Sequence, residues 1–475
     1  MTKLRAWKYF SLVMILMLVL GLCSVTGSLG CDWLNRDQVV TVTDAGLEYA
    51  IREALNKPEG DLYASELAYL PDLDAVARGI QDLQGLEYCN NLSVLNLAAN
   101  EISDISPPSN LTGLTVLILA ENQISDISPL VNLTNLIWLE LRGNQISDVS
   151  PLANLTNLTW LGLSQNQISN ILPLADLTNL TLLSLSDNQI SDIYPLTNLT
   201  NLTGLGLKDN QISDISSLAN LTSLKELNFA KNQISGISPL ANLTSLTELD
   251  LEANQISDVS PLVDLTSLTL LSLSNNQVNN ISSLANLTNL TELGLGDNQI
   301  NDISTLGSLT SLTTLSLIEN QISNISSLSN LTSLIELGLG ANQVSDISPL
   351  SNLSNLKQLA LDSNQITDIS ALSDLTNLSA VWLDNNKITD ISPLSALIRM
   401  GEVEEGDPWL DERDGIKVAL GLRNNQITDI KALVDNEGLS DGDGIDLRGN
   451  PLSSYSLDTY IPQLEERGVN VLYDV

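Results

Sequence analysis

The stretch that decides the fold reads Leu111-Thr-Gly-Leu114-Thr-Val-Leu117-Ile-Leu119-Ala-Glu-Asn122-Gln-Ile124-Ser-Asp-Ile127-Ser-Pro-Leu130. This frame of leucines, isoleucines and one asparagine returns every 22 residues. The asparagine marks each return without a slip, at Asn100, Asn122, Asn144, Asn166, Asn188, Asn210, Asn232, Asn254, Asn276, Asn298, Asn320, Asn342, Asn364 and Asn386. A fixed period of this length predicts a solenoid, in which each 22-residue coil adds one short strand to a continuous parallel sheet.

The recurring asparagine is the polar group inside an otherwise apolar coil. Its side-chain amide has donor hydrogens and an acceptor oxygen, so it can bond the backbone of its own coil and the amide of the next coil. Repetition at the ~4.8 Å spacing of neighbouring strands predicts an internal ladder of amides. A coil this short has no room for a full α-helix on its return side, and Ser128-Pro129-Leu130 predicts a short 3-10 turn there.

The full motif, Leu-x-x-Leu-x-x-Leu-x-Leu-x-x-Asn-x-Ile-x-Asp-Ile-x-x-Leu, resembles the 22-residue leucine-rich-repeat class of bacterial internalins. Gly85-Leu86-Glu87-Tyr88, after a helical start, is similar to the N-terminal cap of that class. The resemblance covers residues 42–475. It implies an α/β repeat fold: a curved, right-handed solenoid with a parallel concave β-sheet, a 3-10 or irregular convex side and helical caps at both ends. It also implies a partner, usually a protein, on the concave sheet, but it does not transfer a ligand.

Breaks in the period divide the chain into segments. Asn425 follows Asn386 by 39 residues rather than 22, which indicates an insertion at about 401–417, and a last coil ends at Asn450. Ahead of the repeats, Asp44 can cap a helix whose apolar residues follow helical spacing. The predicted segments are a signal peptide at 1–30, a tether at 31–41, a helical cap at 42–71, leucine-rich repeats at 72–450 and a C-terminal cap at 451–475.

The N-terminus predicts export. Three basic residues precede an apolar run at 10–25, and no acidic residue occurs before Asp32. This run is shorter than the ~20 residues of a membrane-spanning helix, so it is typical of a secretory signal. The small residues leading into Cys31 resemble a bacterial lipoprotein cleavage box, which implies lipidation of Cys31 and anchoring at the cell envelope or surface. Ordinary cleavage near Gly27 with a free Cys31, or an uncleaved anchor, are the alternatives.

Composition excludes several classes of function. The chain has 57 acidic and 20 basic residues, for a net charge of -37, and phosphates would therefore repel it, which argues against nucleic-acid binding. Histidine is absent, which removes the usual proton-transfer group, the commonest metal ligand and the partner of a serine nucleophile. The sequence predicts no enzyme, no cofactor and no metal, with membrane contact only through the lipid anchor.

The predicted concave face presents residues six, four and two positions before each asparagine, because side chains alternate along a strand. Trp138 and Trp160 both stand six positions before the asparagine in neighbouring coils, so they should stack about 5 Å apart. With Glu140 and Arg142 beside them, these rings predict an anchor for a partner. The alternative is a surface pair that packs only on itself.

Two further sets complete the predicted site. An acidic centre suits a basic partner or divalent ions, or is simply solvated charge; its members are Glu226, Glu248, Asp250, Glu252 and Glu292. Trp382 should lie near the insertion that contains Trp409, and this long insertion is either functional or tolerated drift.

These observations give one leading hypothesis and two alternatives. The leading hypothesis is an exported, monomeric scaffold that binds a protein partner on its concave face, with the tryptophans as anchors and the acidic residues setting orientation. Binding of an envelope polysaccharide on the Trp138–Trp160 pair is one alternative. A passive structural spacer, suggested by the near-identical repeats, is the other.

Overall fold

The computed structural model of this 475-residue chain describes residues 37–402 and 411–474. The predicted signal peptide at 1–30, Cys31 and Trp409 lie outside the described residues. In the part of the chain that is described, no helix is both long enough and apolar enough to cross a bilayer.

A small cap precedes the repeats. In chain order it contains β1 (Val39–Val40), α1 (Ala45–Ala54), β2 (Leu62–Tyr63) and α2 (Ala64–Leu67), with β1 and β2 paired antiparallel. Helix α1 begins where the carboxylate Oδ1 of Asp44 accepts the backbone N–H groups of Gly46 at 2.9 Å and Leu47 at 3.0 Å. Leu47 and Ile51 are fully buried on the inner face of α1. The helix therefore covers the first end of the apolar core, which would otherwise be open to water.

One strand from each coil enters a single long sheet. The strands are β3 (Asp72–Asp74), β4 (Val94–Asn96), β5 (Val116–Ile118), β6 (Trp138–Glu140), β7 (Trp160–Gly162), β8 (Leu182–Ser184), β9 (Gly204–Gly206), β10 (Glu226–Asn228), β11 (Glu248–Asp250), β12 (Leu270–Ser272), β13 (Glu292–Gly294), β14 (Thr314–Ser316), β15 (Glu336–Gly338), β16 (Gln358–Ala360), β17 (Ala380–Trp382), β18 (Asp411–Arg413), β19 (Ile416–Gly421), β20 (Gly444–Asp446) and β21 (Asn470–Leu472). Among the described residues all of these run parallel except β18, which pairs antiparallel with β19. The pairings end at β3 and β21, so the sheet is open.

Short 3-10 helices form the convex side. They cover Leu86–Tyr88, Pro107–Asn110, Ser128–Asn132, Ser150–Leu152, Leu172–Leu174, Tyr194–Asn198, Ser216–Asn220, Ser238–Asn242, Ser260–Leu262, Ser282–Asn286, Ser304–Ser308, Ser326–Asn330, Ser348–Leu350, Ser370–Leu372 and Ser392–Ala396. The chain ends with α3 (Lys431–Asp435), a π-helix (Ser456–Tyr460) and α4 (Ile461–Glu466), ahead of β21. A parallel sheet on one side and 3-10 turns on the other confirm the predicted solenoid.

The asparagine ladder is present. Asn122 Nδ2 donates to the carbonyl oxygens of Leu97 and Leu119, at 3.0 and 3.1 Å, and its Oδ1 accepts the N–H of Ile102 at 3.0 Å. The amide therefore bonds its own coil and the preceding coil, whereas the sequence interpretation expected the following one. The side chain of Asn122 points toward the preceding coil, where the backbone of Leu97 and Ile102 supplies an acceptor and a donor.

The insertion ends in a β-hairpin. Strands β18 and β19 are joined by Asp414 and Gly415, whose φ angles of 52° and 80° both lie in the left-handed region. Two such residues in a row match the turn that suits the twist of a two-residue hairpin, and Asp-Gly is a favoured pair for it. The second half of β19 then pairs in parallel with β17 and resumes the repeat sheet.

Candidate functional site

The first half of the concave face is an apolar patch. Its side chains come from the first and third residues of successive strands, which the parallel register aligns in columns. All of them are half-buried, and they are Val94, Val116, Ile118, Trp138, Trp160 and Leu182. We call this set the apolar patch. Only its two tryptophans were predicted, although Val116 and Leu182 occupy the same position in the frame and could have been found from that position alone.

The two tryptophans stack on each other at the centre of the patch. Trp138 and Trp160 are register partners, with ring centroids 4.3 Å apart and ring planes inclined by 7°. The predicted stacking is therefore confirmed. One face of each ring is used in this contact, so the pair presents ring edges and only its two outer faces for other contacts.

Glu140 holds one ring of this pair in place through a hydrogen bond. Its Oε2 accepts the indole N–H of Trp160 at 3.3 Å, and its Oε1 accepts the backbone N–H of Arg142 at 3.0 Å. The carboxylate lies over Gly162 of the next strand, where a Cβ atom would collide with it. Burial raises the pKa of Glu140, and the two hydrogen bonds only partly oppose that rise. The carboxylate thus orients a ring and has limited contact with water.

Arg142 does not point at Glu140. Its guanidinium Nε donates to Oε1 of Gln165 at 2.9 Å, and only its backbone N–H reaches the carboxylate. Of the four residues predicted for this part of the site, three form one connected cluster and Arg142 extends beside it toward the next coil. Its half-buried guanidinium adds one positive charge at the edge of the apolar patch.

The acidic residues form a strip rather than one centre. Glu226 and Glu248 are register partners, but Leu270 separates them from Glu292 in the same column. Burial, together with the charge of Glu248, raises the pKa of Glu226. Glu336 continues the column and accepts a hydrogen bond from the hydroxyl of a neighbouring threonine. The sequence analysis missed Glu336, which counting along the column would have revealed.

A second row of the strip stands closer to the middle of the sheet. Asp250 Oδ1 accepts the backbone N–H of Glu252 at 3.1 Å, which turns the carboxylate along the strand end. Burial raises the pKa of Asp250 above its usual value. With Glu226, Glu248 and Glu292, these side chains cover strands β10 to β13, and we call the five residues the acidic strip.

The structure corrects the expectation for Trp382, because this residue is not exposed on the concave face. Its side chain is 5% exposed and packs with Ala360 and Ala380. The indole N–H donates to the carbonyl oxygen of Val418 in β19 at 3.3 Å. Its contact with a partner stays a prediction, but the exposure on the concave face that was expected of it was wrong. The reason is that β19, which follows the insertion, approaches this ring and supplies its hydrogen-bond acceptor.

A buried ion network lies beside Trp382. Arg413 of the hairpin makes two bonds to the carboxylate of Asp384, at 3.0 and 2.7 Å, and a third to Asp446 at 2.9 Å. Arg448 also binds Asp446, at 2.7 and 2.9 Å. Burial opposes ionisation of Asp446, but hydrogen bonds from Arg448 and Arg413 outweigh it and lower the pKa. The network fixes the hairpin to the sheet, and sequence could not reveal it because Arg413 lies outside the repeat frame.

Family comparisons agree with this architecture. A model described as "Leucine Rich repeats (2 copies)" matches residues 90–132, 178–220, 222–264, 266–308, 310–352 and 354–396, which together exceed half of the chain. A second model, "Leucine rich repeat", matches 112–168. A sequence comparison with curated proteins gives no match.

Several solved structures are similar to this chain. An internalin, inlF of Listeria monocytogenes, is 39% identical over 75% of this chain and 94% of its own, with a TM-score of 0.57. A leucine-rich-repeat protein of Leptospira interrogans is 25% identical over 86% and 97%, with a TM-score of 0.68. The plant peptide hormone receptor RGFR1 in complex with RGF2 is 21% identical over 82% and 67%, with a TM-score of 0.65, and shares the fold alone.

Proposed function

We propose that this chain, which belongs to the leucine-rich-repeat family and is internalin-like, is a binding scaffold that recognises a protein partner on its concave face. The observation that carries the proposal is the apolar patch around Trp138 and Trp160. Large aromatic side chains, grouped and only half-buried, are the usual anchors of protein interfaces. The stack is already fixed by Glu140, so a partner would lose little side-chain entropy in meeting it.

The acidic strip defines the partner's complementary charge. It begins three strands beyond Trp160 and crosses the sheet for four strands, about 14 Å to 29 Å away at ~4.8 Å per strand. Two of its carboxylates, those of Glu226 and Asp250, have pKa values raised by burial, so a lysine or arginine placed there would meet poorly solvated negative charge. We expect the strip to set orientation and association rate more than final affinity.

The ring geometry favours a protein over a polysaccharide. Sugars stack on open faces of aromatic rings; the contact between Trp138 and Trp160 uses the inner face of each ring, and Val116 and Leu182 are the register neighbours on the outer sides of the pair. A spacer without a partner would not need the apolar patch, since other coils fill the same positions with glycine or serine, as at Gly204 and Ser184. Both alternatives are outcomes of the experiment below.

The remaining parts of the proposal rest on sequence. We propose that the protein is exported and lipid-anchored at Cys31, that it is monomeric, and that it has no catalytic role. The support is the signal-like N-terminus, the high negative charge and the lack of histidine. Mass spectrometry of Cys31 in membrane fractions tests the anchor: a free thiol there, or a protein found only in the medium, contradicts it.

Site-specific photo-crosslinking on intact cells tests the partner. A photoreactive residue at Ala120, on the concave side of the patch, is compared with one at Ser348, on the convex side far along the solenoid. We expect a protein adduct from position 120 and none from position 348. The adduct should disappear when Trp138 and Trp160 are both changed to threonine, the residue that the frame has at Thr314.

Three results would contradict the proposal. Equal adducts from both positions would indicate non-specific contact. A carbohydrate adduct from position 120 would favour the polysaccharide alternative, and the absence of any adduct would favour the spacer. Circular dichroism of the double threonine variant should match the parent, because the substituted positions lie outside the leucine core.

A further inference from the structure

A second surface lies on the convex side, where two neighbouring coils break the frame. The residue six positions after each asparagine stands at the start of the convex 3-10 helix. It is serine in every coil from Asn100 to Asn386 except two, which have Leu172 and Tyr194. A small hydroxyl is thus replaced by two large side chains in consecutive coils.

Both side chains are open to solvent. Leu172 is 63% exposed and Tyr194 is 74% exposed. The backbone N–H of Gln189 donates to the carbonyl oxygen of Ile168 at 2.9 Å, which fixes the register of the two coils a few residues earlier. Leu172 and Tyr194 therefore lie in adjacent coils, as an exposed apolar pair at a position that is serine in the other coils.

Two residues near Tyr194 are more buried than their equivalents in other coils. Pro195 and Ser217 are buried, whereas their equivalents Pro173 and Ser283 are half-buried. We attribute this difference to the neighbouring ring of Tyr194. The hydroxyl of Ser217 has no hydrogen-bond partner among the described residues, although Ser283 donates to a carbonyl of the coil before it. The coil thus leaves a buried hydroxyl unpaired next to an exposed aromatic ring.

Fixed negative charge surrounds the pair. Asp148, Asp192 and Asp214 are exposed, and each holds its carboxylate in place by accepting the backbone N–H two residues on at 2.8 Å. Between Asn144 and Asn220 the chain has six acidic residues and one basic residue, Lys208, which belongs to the concave columns. An apolar contact here would be flanked by carboxylates on both sides.

We propose that Leu172 and Tyr194 form a second docking site, for a basic protein that presents an apolar side chain between lysines or arginines. Charge excludes a second copy of this chain, because a symmetric contact would bring the same carboxylates face to face.

The site and the apolar patch lie in overlapping coils on opposite faces. A partner on the convex side would leave Trp138 and Trp160 free, so the solenoid would act as an adaptor between two proteins. This inference stands on different residues from the proposed function and does not depend on it.

A peptide pair tests the docking site. The probe is a fluorescein-labelled hexapeptide, Lys-Lys-Leu-Phe-Lys-Lys, titrated with the full chain by fluorescence anisotropy, with the glutamate-flanked Glu-Glu-Leu-Phe-Glu-Glu as matched control. Leu172→Ser with Tyr194→Ser restores the residue of twelve other coils, so the fold should be kept. We expect the lysine peptide to bind the parent and to lose at least ten-fold in affinity in the serine variant, with the glutamate peptide binding neither.

Every other outcome overturns the proposal. No binding of the lysine peptide to the parent, or equal binding to parent and serine variant, removes the site. Loss of peptide binding only in Trp138→Thr with Trp160→Thr assigns the peptide to the concave face and leaves the proposed function standing alone. A dimeric parent that becomes monomeric in the serine variant, measured by sedimentation velocity, assigns the pair to a second copy.

Discussion

Trp160 and Trp382 belong to the same face of one sheet, ten strands apart, and their surroundings are opposite. Trp160 is half-buried, stacks on Trp138 and leaves ring edges open. Trp382 is 5% exposed and bonds to a strand that follows the insertion. Trp160 stands six positions before its asparagine and Trp382 four positions before its own. A further difference is that the strand beyond the insertion supplies a hydrogen-bond acceptor to Trp382, whereas regular repeats flank Trp160.

Charges follow the same division. At the apolar patch, the carboxylate of Glu140 is buried beside a ring, its pKa is raised, and the nearest guanidinium turns to Gln165. Near the hairpin, the carboxylate of Asp446 is fully buried but is met by two guanidinium groups, and its pKa is lowered. The described partners of the Glu140 carboxylate are one indole and one backbone N–H, whereas two guanidinium groups neutralise Asp446.

Removal of Arg413 should produce the largest loss. In Arg413→Ala, the carboxylates of Asp384 and Asp446, whose side chains are 5% and 0% exposed in the parent, lose this partner. Loss of one member of a buried pair typically costs about 3–5 kcal/mol, because a desolvated charge remains. Hydrogen exchange should show the hairpin and β17 opening first, since repeat chains unfold by regions. The control, Lys431→Ala, removes an ion pair that is about half exposed, and because water and salt screen such a pair it should change stability far less than Arg413→Ala. Equal losses would contradict the division.

Truncation of the two tryptophans should separate stability from binding. Trp382→Ala creates a cavity and should cost about 3 kcal/mol, whereas Trp160→Ala removes a half-buried stacking contact and one hydrogen bond to Glu140 and should cost less, about 1–2 kcal/mol. Urea denaturation followed region by region measures both. Binding at the concave face should show the reverse order. The comparison would fail if Trp160→Ala were the more destabilising change.

Two glycines allow a smaller and closer test. A Cβ at Gly162 would meet the carboxylate of Glu140, which is held by one backbone and one indole N–H, while a Cβ at Gly421 would meet the carboxylate of Asp384, which is held more tightly by two bonds from Arg413. We expect Gly421→Ala to cost about 1–3 kcal/mol through overpacking and Gly162→Ala to cost less than about 1 kcal/mol. Thermal melts of the two single variants decide, and similar melting temperatures would show that Asp384 is free to move.

Acid should affect the two regions in opposite directions and over different pH ranges, because the contribution of Asp446 changes only below its ordinary pKa of 3.8 and that of Glu140 only above its ordinary pKa of 4.5. The folded pKa of Asp446 lies below its ordinary 3.8, so its stabilising contribution is complete above that pH and is lost as the pH falls through the folded pKa. The folded pKa of Glu140 lies above its ordinary 4.5, so stability around β6 and β7 should rise slightly as the pH falls from neutral toward 4.5. Hydrogen exchange, corrected for its intrinsic pH dependence, should show this small divergence; a parallel change in both regions would refute it.

The period made most of the fold predictable, because leucine spacing and one asparagine per coil determine strand, turn and register together. The same period placed Trp138 beside Trp160 and could have placed Glu336. It could not place Arg413, which lies within the insertion, or bury Trp382, whose acceptor Val418 comes after the insertion. Nor could it show that Arg142 turns to Gln165, because side-chain direction depends on neighbours that the period does not specify.

The one-way bonding of the asparagine ladder has a consequence for how such a chain can change length. The side-chain oxygen of each asparagine accepts a backbone N–H from the coil before it. In the last coil, Oδ1 of Asn450 accepts the N–H of Ile427 at 3.1 Å. Duplication or deletion of a whole coil between Asn100 and Asn386 leaves each of these hydrogen bonds with both of its partners. The chain can therefore gain or lose 22 residues at a time without further substitutions. A change of any other length must form a loop outside the regular coils, as the insertion before β19 does.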